Sequence, residues 1–148
     1  MIIREAQIMD IDQLTAMEER CFTSRWTRDM FAYEIEENPF GKFYVLEEEG
    51  TLLGFIDFWI TFETCQLANI AVDLPYRGKG RSRILMDKMI QIANEEGCET
   101  IMLEVRPSNT TAITLYENYE FLRMNIRKGY YSDNGEDAIV MCKALGGK

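Results

Sequence analysis

The sequence predicts one α/β domain spanning residues 1–148, and three observations carry that reading. The chain has 148 residues, enough for one sizeable hydrophobic core and too few for two. Apolar residues recur at helical spacing in some stretches and form dense aliphatic and aromatic runs in others. No low-complexity segment, repeat or Pro/Gly-rich linker divides them.

Residues 2–6 read as a short first strand. Asp10 is placed to cap a helix whose apolar positions Ile11, Leu14, Met17 and Cys21 recur at about helical spacing. Thr27 is placed to cap a second helix. Asp29 suits the positive end of that helix, Met30, Phe31 and Ile35 form its inner face, and Asn38-Pro39 ends it. The pattern then changes. Segments 43–46, 52–62 and 64–72 are rich in aromatic and aliphatic residues, with Gly50 and the Glu63-Thr64 step between them, which predicts a three-stranded antiparallel meander. Residues 82–94 form a helix with Ile84, Leu85, Met89, Ile92 and Ala93 in one stripe and Lys88 as its one polar member. Residues 100–105 are a buried strand, ended because Pro107 holds Arg106 extended. Ser108 is placed to cap a helix with Ala112, Leu115, Tyr116 and Tyr119 inward. Segments 121–127 and 136–142 are the last strands, joined through Asp133-Asn134-Gly135. The order is β-α-α-β-β-β-α-β-α-β-β.

Composition excludes several classes of function. The chain has no His, so it can hold no Ser-His-Asp triad, no Cys-His dyad and no imidazole zinc site. Acid–base work falls to Asp, Glu, Tyr, Cys or Lys, and no metal is expected. The formal net charge of -9 repels phosphates, so direct nucleic acid binding is disfavoured and a basic partner is favoured; solubility alone would also account for it. No apolar run approaches the roughly 18 residues of a membrane span. Met1-Ile2-Ile3-Arg4-Glu5 lacks the basic and apolar regions of a secretory leader. A cytoplasmic protein with no membrane partner is expected. Cys21, Cys65, Cys98 and Cys142 form no close pair and sit in apolar contexts, as small buried hydrophobes of a reducing compartment do.

The stretch from Asn69 to Arg83 is the most informative. A strand runs into a loop with Gly78 and Gly80, and the loop into an amphipathic helix. Glycines let the backbone take positive φ and come close to a ligand. A helix start offers unpaired N–H groups and a positive dipole end. Arg77, Lys79, Arg81 and Arg83 add four cations in seven residues of an acidic protein. Together these describe a diphosphate site, against the plainer reading of a solvated basic loop. A P-loop is excluded, because no Gly-Lys-Ser/Thr lies at its spacing.

Here the chain resembles the GNAT acyltransferases, which bind acetyl-CoA through an Arg/Gln-x-x-Gly-x-Gly/Ala loop after a bulged fourth strand. Arg77, Gly80 and Ser82 occupy the three signature positions, with Ser82 where Gly or Ala is preferred. The runs 69–72, 103–109, 112–113, 115–117 and 136–141, with Arg127 and Tyr130-Tyr131 between the last two, are similar to the bacterial GNAT branch that acetylates the N-terminal amine of a small-subunit ribosomal protein. The 21–27 stretch also resembles that branch, with Arg25 where Pro is common before Trp26. Glu120 stands where relatives carry Gly, and Gly129 where they carry Asn.

The resemblance implies a mixed, mostly antiparallel sheet flanked by helices, acetyl-CoA as co-substrate, and as acceptor a basic protein N-terminus, the N-terminal alanine or similar small residue of a small-subunit ribosomal protein. It assigns Ile70, Ala71 and Val72, the loop Gly78, Lys79, Gly80, Arg81, Ser82 and Arg83 with Arg77, and Asn109 to the cofactor. The Val72 N–H would polarise the thioester carbonyl. Glu104 becomes the general base and Tyr116 the general acid. Direct transfer without an acetyl-enzyme is implied, and a small-molecule amine acceptor or a non-catalytic CoA-binding module are the rivals. The residues agree: with no His, a carboxylate can accept the amine proton, directly or through water, and a phenol can donate one. Glu104 is a lone charge in a buried strand, which is costly unless it faces a cleft or a partner; it could also face solvent at the strand end. Tyr116 could equally be core packing, and Trp26, Tyr130 and Tyr131 either packing or a peptide wall.

Overall fold

The computed structural model describes residues 1–22 and 26–146; the Arg25 position lies outside them. The elements are β1 (Ile2–Glu5), α1 (Ile11–Cys21), α2 (Arg28–Glu36), β2 (Gly41–Glu48), β3 (Thr51–Thr61), β4 (Thr64–Val72), α3 (Arg81–Glu95), β5 (Thr100–Val105), α4 (Thr110–Asn118), β6 (Leu122–Arg127) and β7 (Ala138–Ala144). This is the order the sequence predicts, with short 3-10 turns added at Ile8–Asp10 and Leu74–Tyr76.

The strands form one sheet in the order β1-β2-β3-β4-β5-β7-β6. The β4–β5 pair is parallel and the others are antiparallel. Side chains alternate between faces along a strand, so the sheet carries two cores. Phe43, Val45, Phe55 and Ala71 meet α1 and α2 through Leu14, Met17 and Phe31. On the other face Leu46, Ile56, Leu103 and Met141 pack with Leu85 and Met89 of α3 and with Ile113 of α4.

Two features of β4 open the sheet. Phe58 pairs with Leu67 and Asp57 with Asn69, so Ala68 is a bulge without a partner. Pairing between β4 and β5 covers only Thr64–Gln66 against Thr100–Met102. Beyond it the two strands separate. Gly54 on β3 lets β4 lie close: a Cβ there would stand 2.6 Å from the Ala71 carbonyl oxygen.

Several local expectations need correction. Asp10 does not cap α1. Its carboxylate takes Arg4 Nη1 and Nη2 at 2.9 and 2.8 Å and Gln7 N at 2.8 Å, and so closes the preceding 3-10 turn. Ser108 does not cap α4. Asn109 N donates to Arg106 O at 3.0 Å, so Pro107 and Ser108 sit inside a turn. Asn109 takes the cap, its Oδ1 accepting from Ala112 N at 3.1 Å. Met30 is exposed, one position round the helix from buried Phe31, whereas Met86 joins the α3 core. Cys65 and Cys98 are buried, but Cys21 and Cys142 are only half-buried. Thr27 does cap α2, accepting from Met30 N at 3.2 Å.

Glu120 adopts φ +70° just after α4. The left-handed region costs a non-glycine residue about 1–2 kcal/mol. Its contact with Lys143, at 4.0 Å and 87% exposed, returns little. Glu120→Gly is therefore expected to stabilise the fold by about 0.5–1 kcal/mol after glycine's larger entropy loss. That corresponds to a rise of roughly 1–4 °C in Tm, which a thermal melt would read.

Candidate active site

The separation of β4 from β5 creates a cleft of about 1510 Å³. Its floor is the open edge of β4. Asp73 N donates to Leu53 O at 2.9 Å, so 53 and 73 are a hydrogen-bonded pair and Gly54–Val72 the next, non-bonded one. Val72 and, two residues back, Ile70 therefore direct N–H and C=O away from β3, to the side that β5 has left. The Val72 carbonyl is taken by Arg77 Nε at 2.8 Å and faces the Cys21 thiol at 3.8 Å.

One end of the cleft is cationic. Gly78 and Gly80 take φ +81° and +76°, and a Cβ on either would meet nothing within 4 Å. Gly80 is the N-cap of α3. Arg83 N bonds Gly80 O at 3.2 Å, which leaves the first N–H groups, those of Arg81 and Ser82, without a helical acceptor. Arg81 donates to Tyr76 O at 2.9 Å, while its buried Nε has no partner among the described residues. Ile70, Ala71, Val72, Arg77, Gly78, Gly80, Arg81, Ser82 and Asn109 all line the cleft. Lys79 and Arg83 do not; Arg83 lies over the Tyr119 ring, 5.6 Å from its centroid.

The other end is acidic and aromatic. Glu104 enters from β5, its side chain 14% exposed. Arg127 Nε meets its Oε2 at 2.6 Å, and the Tyr130 hydroxyl donates to its Oε1 at 2.9 Å. The carboxylate thus both faces the cleft and is paired. That contact pushes the Tyr130 pKa up. Tyr116 enters from α4, packed against Phe121 at 5.9 Å between centroids, and lines the cleft. Burial lifts its phenol above the usual range, so the proton stays on at neutral pH. Trp26, Tyr130 and Tyr131 are also on the cleft wall. Trp26 packs on Phe31 at 5.4 Å, and the two tyrosines meet edge-on at 5.1 Å.

Sequence reasoning missed several polar groups here. Glu18 is 1% exposed, accepts from Trp26 N at 3.1 Å and Asn69 Nδ2 at 3.3 Å, and has its pKa raised by burial. Glu34 accepts from Trp59 Nε1 at 2.7 Å on the same wall. Beneath it, Asp57 is fully enclosed, with neither oxygen hydrogen-bonded among the described residues. Burial and the nearby Glu34 push its pKa up to about 10, so it is neutral at pH 7. Asp57 carries the signal that picked out Glu104, one charge in an apolar strand. Glu18 falls on the inner stripe of α1 between Leu14 and Cys21. Arg127 and Arg106 give no such sign, because their partners are distant in sequence.

A split parallel pair, a bulged strand and a glycine turn opening a helix into the cleft define a class of protein. A family model described as "Acetyltransferase (GNAT) family" matches residues 11–121, and the chain belongs to that family. More narrowly it is similar to ribosomal-protein-alanine N-acetyltransferases, the RimI type. A Bacillus subtilis (strain 168) protein that carries the name ribosomal protein bS18-alanine N-acetyltransferase provisionally is 38% identical, over 94% of this chain and 92% of its own. The Escherichia coli (strain K12) protein of that name is 33% identical over 94% of both. The crystal structure of the Escherichia coli ribosomal-protein-S18-alanine N-acetyltransferase superposes with a TM-score of 0.88 at 30% identity, covering 99% of this chain and 96% of that one.

Proposed function

We propose that this enzyme transfers the acetyl group of acetyl-CoA to the N-terminal α-amine of a protein, a ribosomal protein among its acceptors. The observation that carries the reading is the Val72 N–H on an open strand edge, between a cationic helix start and the Glu104 carboxylate. The protein acceptor comes from the names of the relatives.

The residues present fit acetyl-CoA. The glycine turn has room for a diphosphate, the α3 start offers N–H donors without helical acceptors, and the buried Arg81 Nε has no partner among the described residues. When bound, acetyl-CoA supplies the thioester carbon that the amine attacks and the thiolate that departs. The chain's own groups do the rest. Val72 N–H donates to the carbonyl oxygen as negative charge builds there. Glu104 accepts the amine proton, directly or through water. Arg127, 51% exposed at the rim, is the pairing partner that an incoming ammonium would displace. Tyr116 delivers a proton to the departing sulfur; burial keeps it loaded at neutral pH and makes it a weaker acid. Trp26, Tyr130 and Tyr131 wall the acceptor peptide. Lys79 and Arg83, outside the cleft wall, act on the cofactor only through the local field.

Ser82 fills the last signature position with a small side chain and leaves the backbone donors in place. Ser82→Gly is expected to change the acetyl-CoA KM by no more than about tenfold, or 1.4 kcal/mol. A change of several hundredfold would show that the hydroxyl is essential.

The reading is tested by steady-state kinetics on short basic peptides with free N-termini beside an array of small amines. Peptides should be turned over with far higher kcat/KM. Preference for a small amine would reassign the acceptor, and CoA binding without turnover on any amine would refute catalysis.

A further inference from the structure

The loop over residues 128–137 joins β6 to β7 and carries Tyr130 and Tyr131 to the cleft. Its own backbone closes through Gly135 N to Tyr131 O at 2.8 Å and Tyr131 N to Glu136 O at 3.0 Å. Most of its side chains are polar and exposed, so it has little apolar burial to order it. Besides the Tyr130–Glu104 hydrogen bond, it is tied to the sheet by Arg106, the residue after β5 and two positions from Glu104. The Arg106 guanidinium donates to Asp133 Oδ2 at 2.8 Å, Asn134 Oδ1 at 3.2 Å and Glu136 Oε1 at 3.4 Å. It also lies 3.9 Å from the centroid of the Tyr131 ring. Glu136 in turn accepts Ser108 N at 2.9 Å, joining the loop to the turn before α4. The planar, five-donor guanidinium can grip several acceptors and stack on a ring at once; an ammonium cannot.

We propose that Arg106 is a positioning residue for the acceptor substrate: it clamps the 128–137 loop so that Tyr131 walls the cleft and Tyr130 remains bonded to Glu104. The role rests on the acetyl-transfer reading above, but it concerns a residue that need not touch either substrate. The glycine turn and α3 start at the acetyl-CoA end make no contact with its guanidinium.

Two variants test the clamp in the full chain. Arg106→Met keeps the stem and removes the fork; Arg106→Lys keeps a charge and loses the planar stack. For each, amide hydrogen exchange over 128–137 is measured by mass spectrometry, along with KM for the best acceptor of the wild type and for acetyl-CoA. In Arg106→Met, loop exchange should accelerate tenfold or more, acceptor KM should rise about tenfold or more, and acetyl-CoA KM should stay within about twofold. Arg106→Lys should fall between Met and wild type. Unchanged loop exchange, or faster exchange with acceptor KM held within twofold, would overturn the clamp. Equal rises in both KM values, or a variant too unstable to assay with Arg106→Lys equally impaired, would mean a structural role and overturn it too. A wild type that acetylates no amine would instead refute the transfer reading, and this role with it.

Discussion

Glu104→Gln is expected to lower kcat by about 10²–10⁴, the usual cost of removing a general base, or roughly 3–5 kcal/mol of barrier. Glutamine keeps the shape and can still accept from Tyr130, so the cleft should keep its form. The loss should shrink as pH rises. A peptide α-amine has a pKa near about 8; below it most acceptor is protonated and needs the base, and above it free amine appears unaided. Tyr116→Phe keeps the packing against Phe121 and removes the donor. Its loss should not be relieved by raising pH, since free amine does not replace a proton needed at sulfur. A loss below about threefold for Glu104→Gln at neutral pH would remove Glu104 from the base role. Loss of CoA binding in that variant would mark the role as structural.

Gly80→Val should abolish detectable CoA binding while the fold survives. The Val Cβ would point into space that is open within the protein, space that the bound diphosphate needs. Within the chain the cost is the left-handed backbone at φ +76°, about 1–2 kcal/mol, which the fold can bear. Calorimetric titration of CoA, beside a thermal melt, separates the effects. Unchanged affinity would remove the glycine turn from the site.

The order of elements was legible because period is a local property. The runs of β3 and β4 and the stripe on α3 declare themselves within a dozen residues. The glycine turn was legible for the same reason, since its strand, cations and helix are contiguous. The opening between β4 and β5 was not, because it depends on where pairing stops between strands distant in sequence. The partners of Glu104 were hidden for a related reason. β7 inserts between β5 and β6, so Arg127 reaches Glu104 across an intervening strand. The α4 cap lies one residue beyond the position its type suggests: Ser108 is a good cap by type, but the turn closed by Arg106 O holds it inside and Asn109 caps instead. Asp57 is the one charge in the apolar run of β3 and went unread beside Glu104, and only packing shows Glu34 next to it.

Locating the added acetyl separates transfer to an α-amine from transfer to a side chain. A basic peptide with a free N-terminal alanine and internal lysines would be incubated with the protein and acetyl-CoA. A twin with a blocked N-terminus would run beside it, and fragment ions would be read by mass spectrometry. Acetyl is expected on the N-terminal residue alone, with the twin inert. Acetyl on lysine side chains, or equal modification of the blocked peptide, would contradict it.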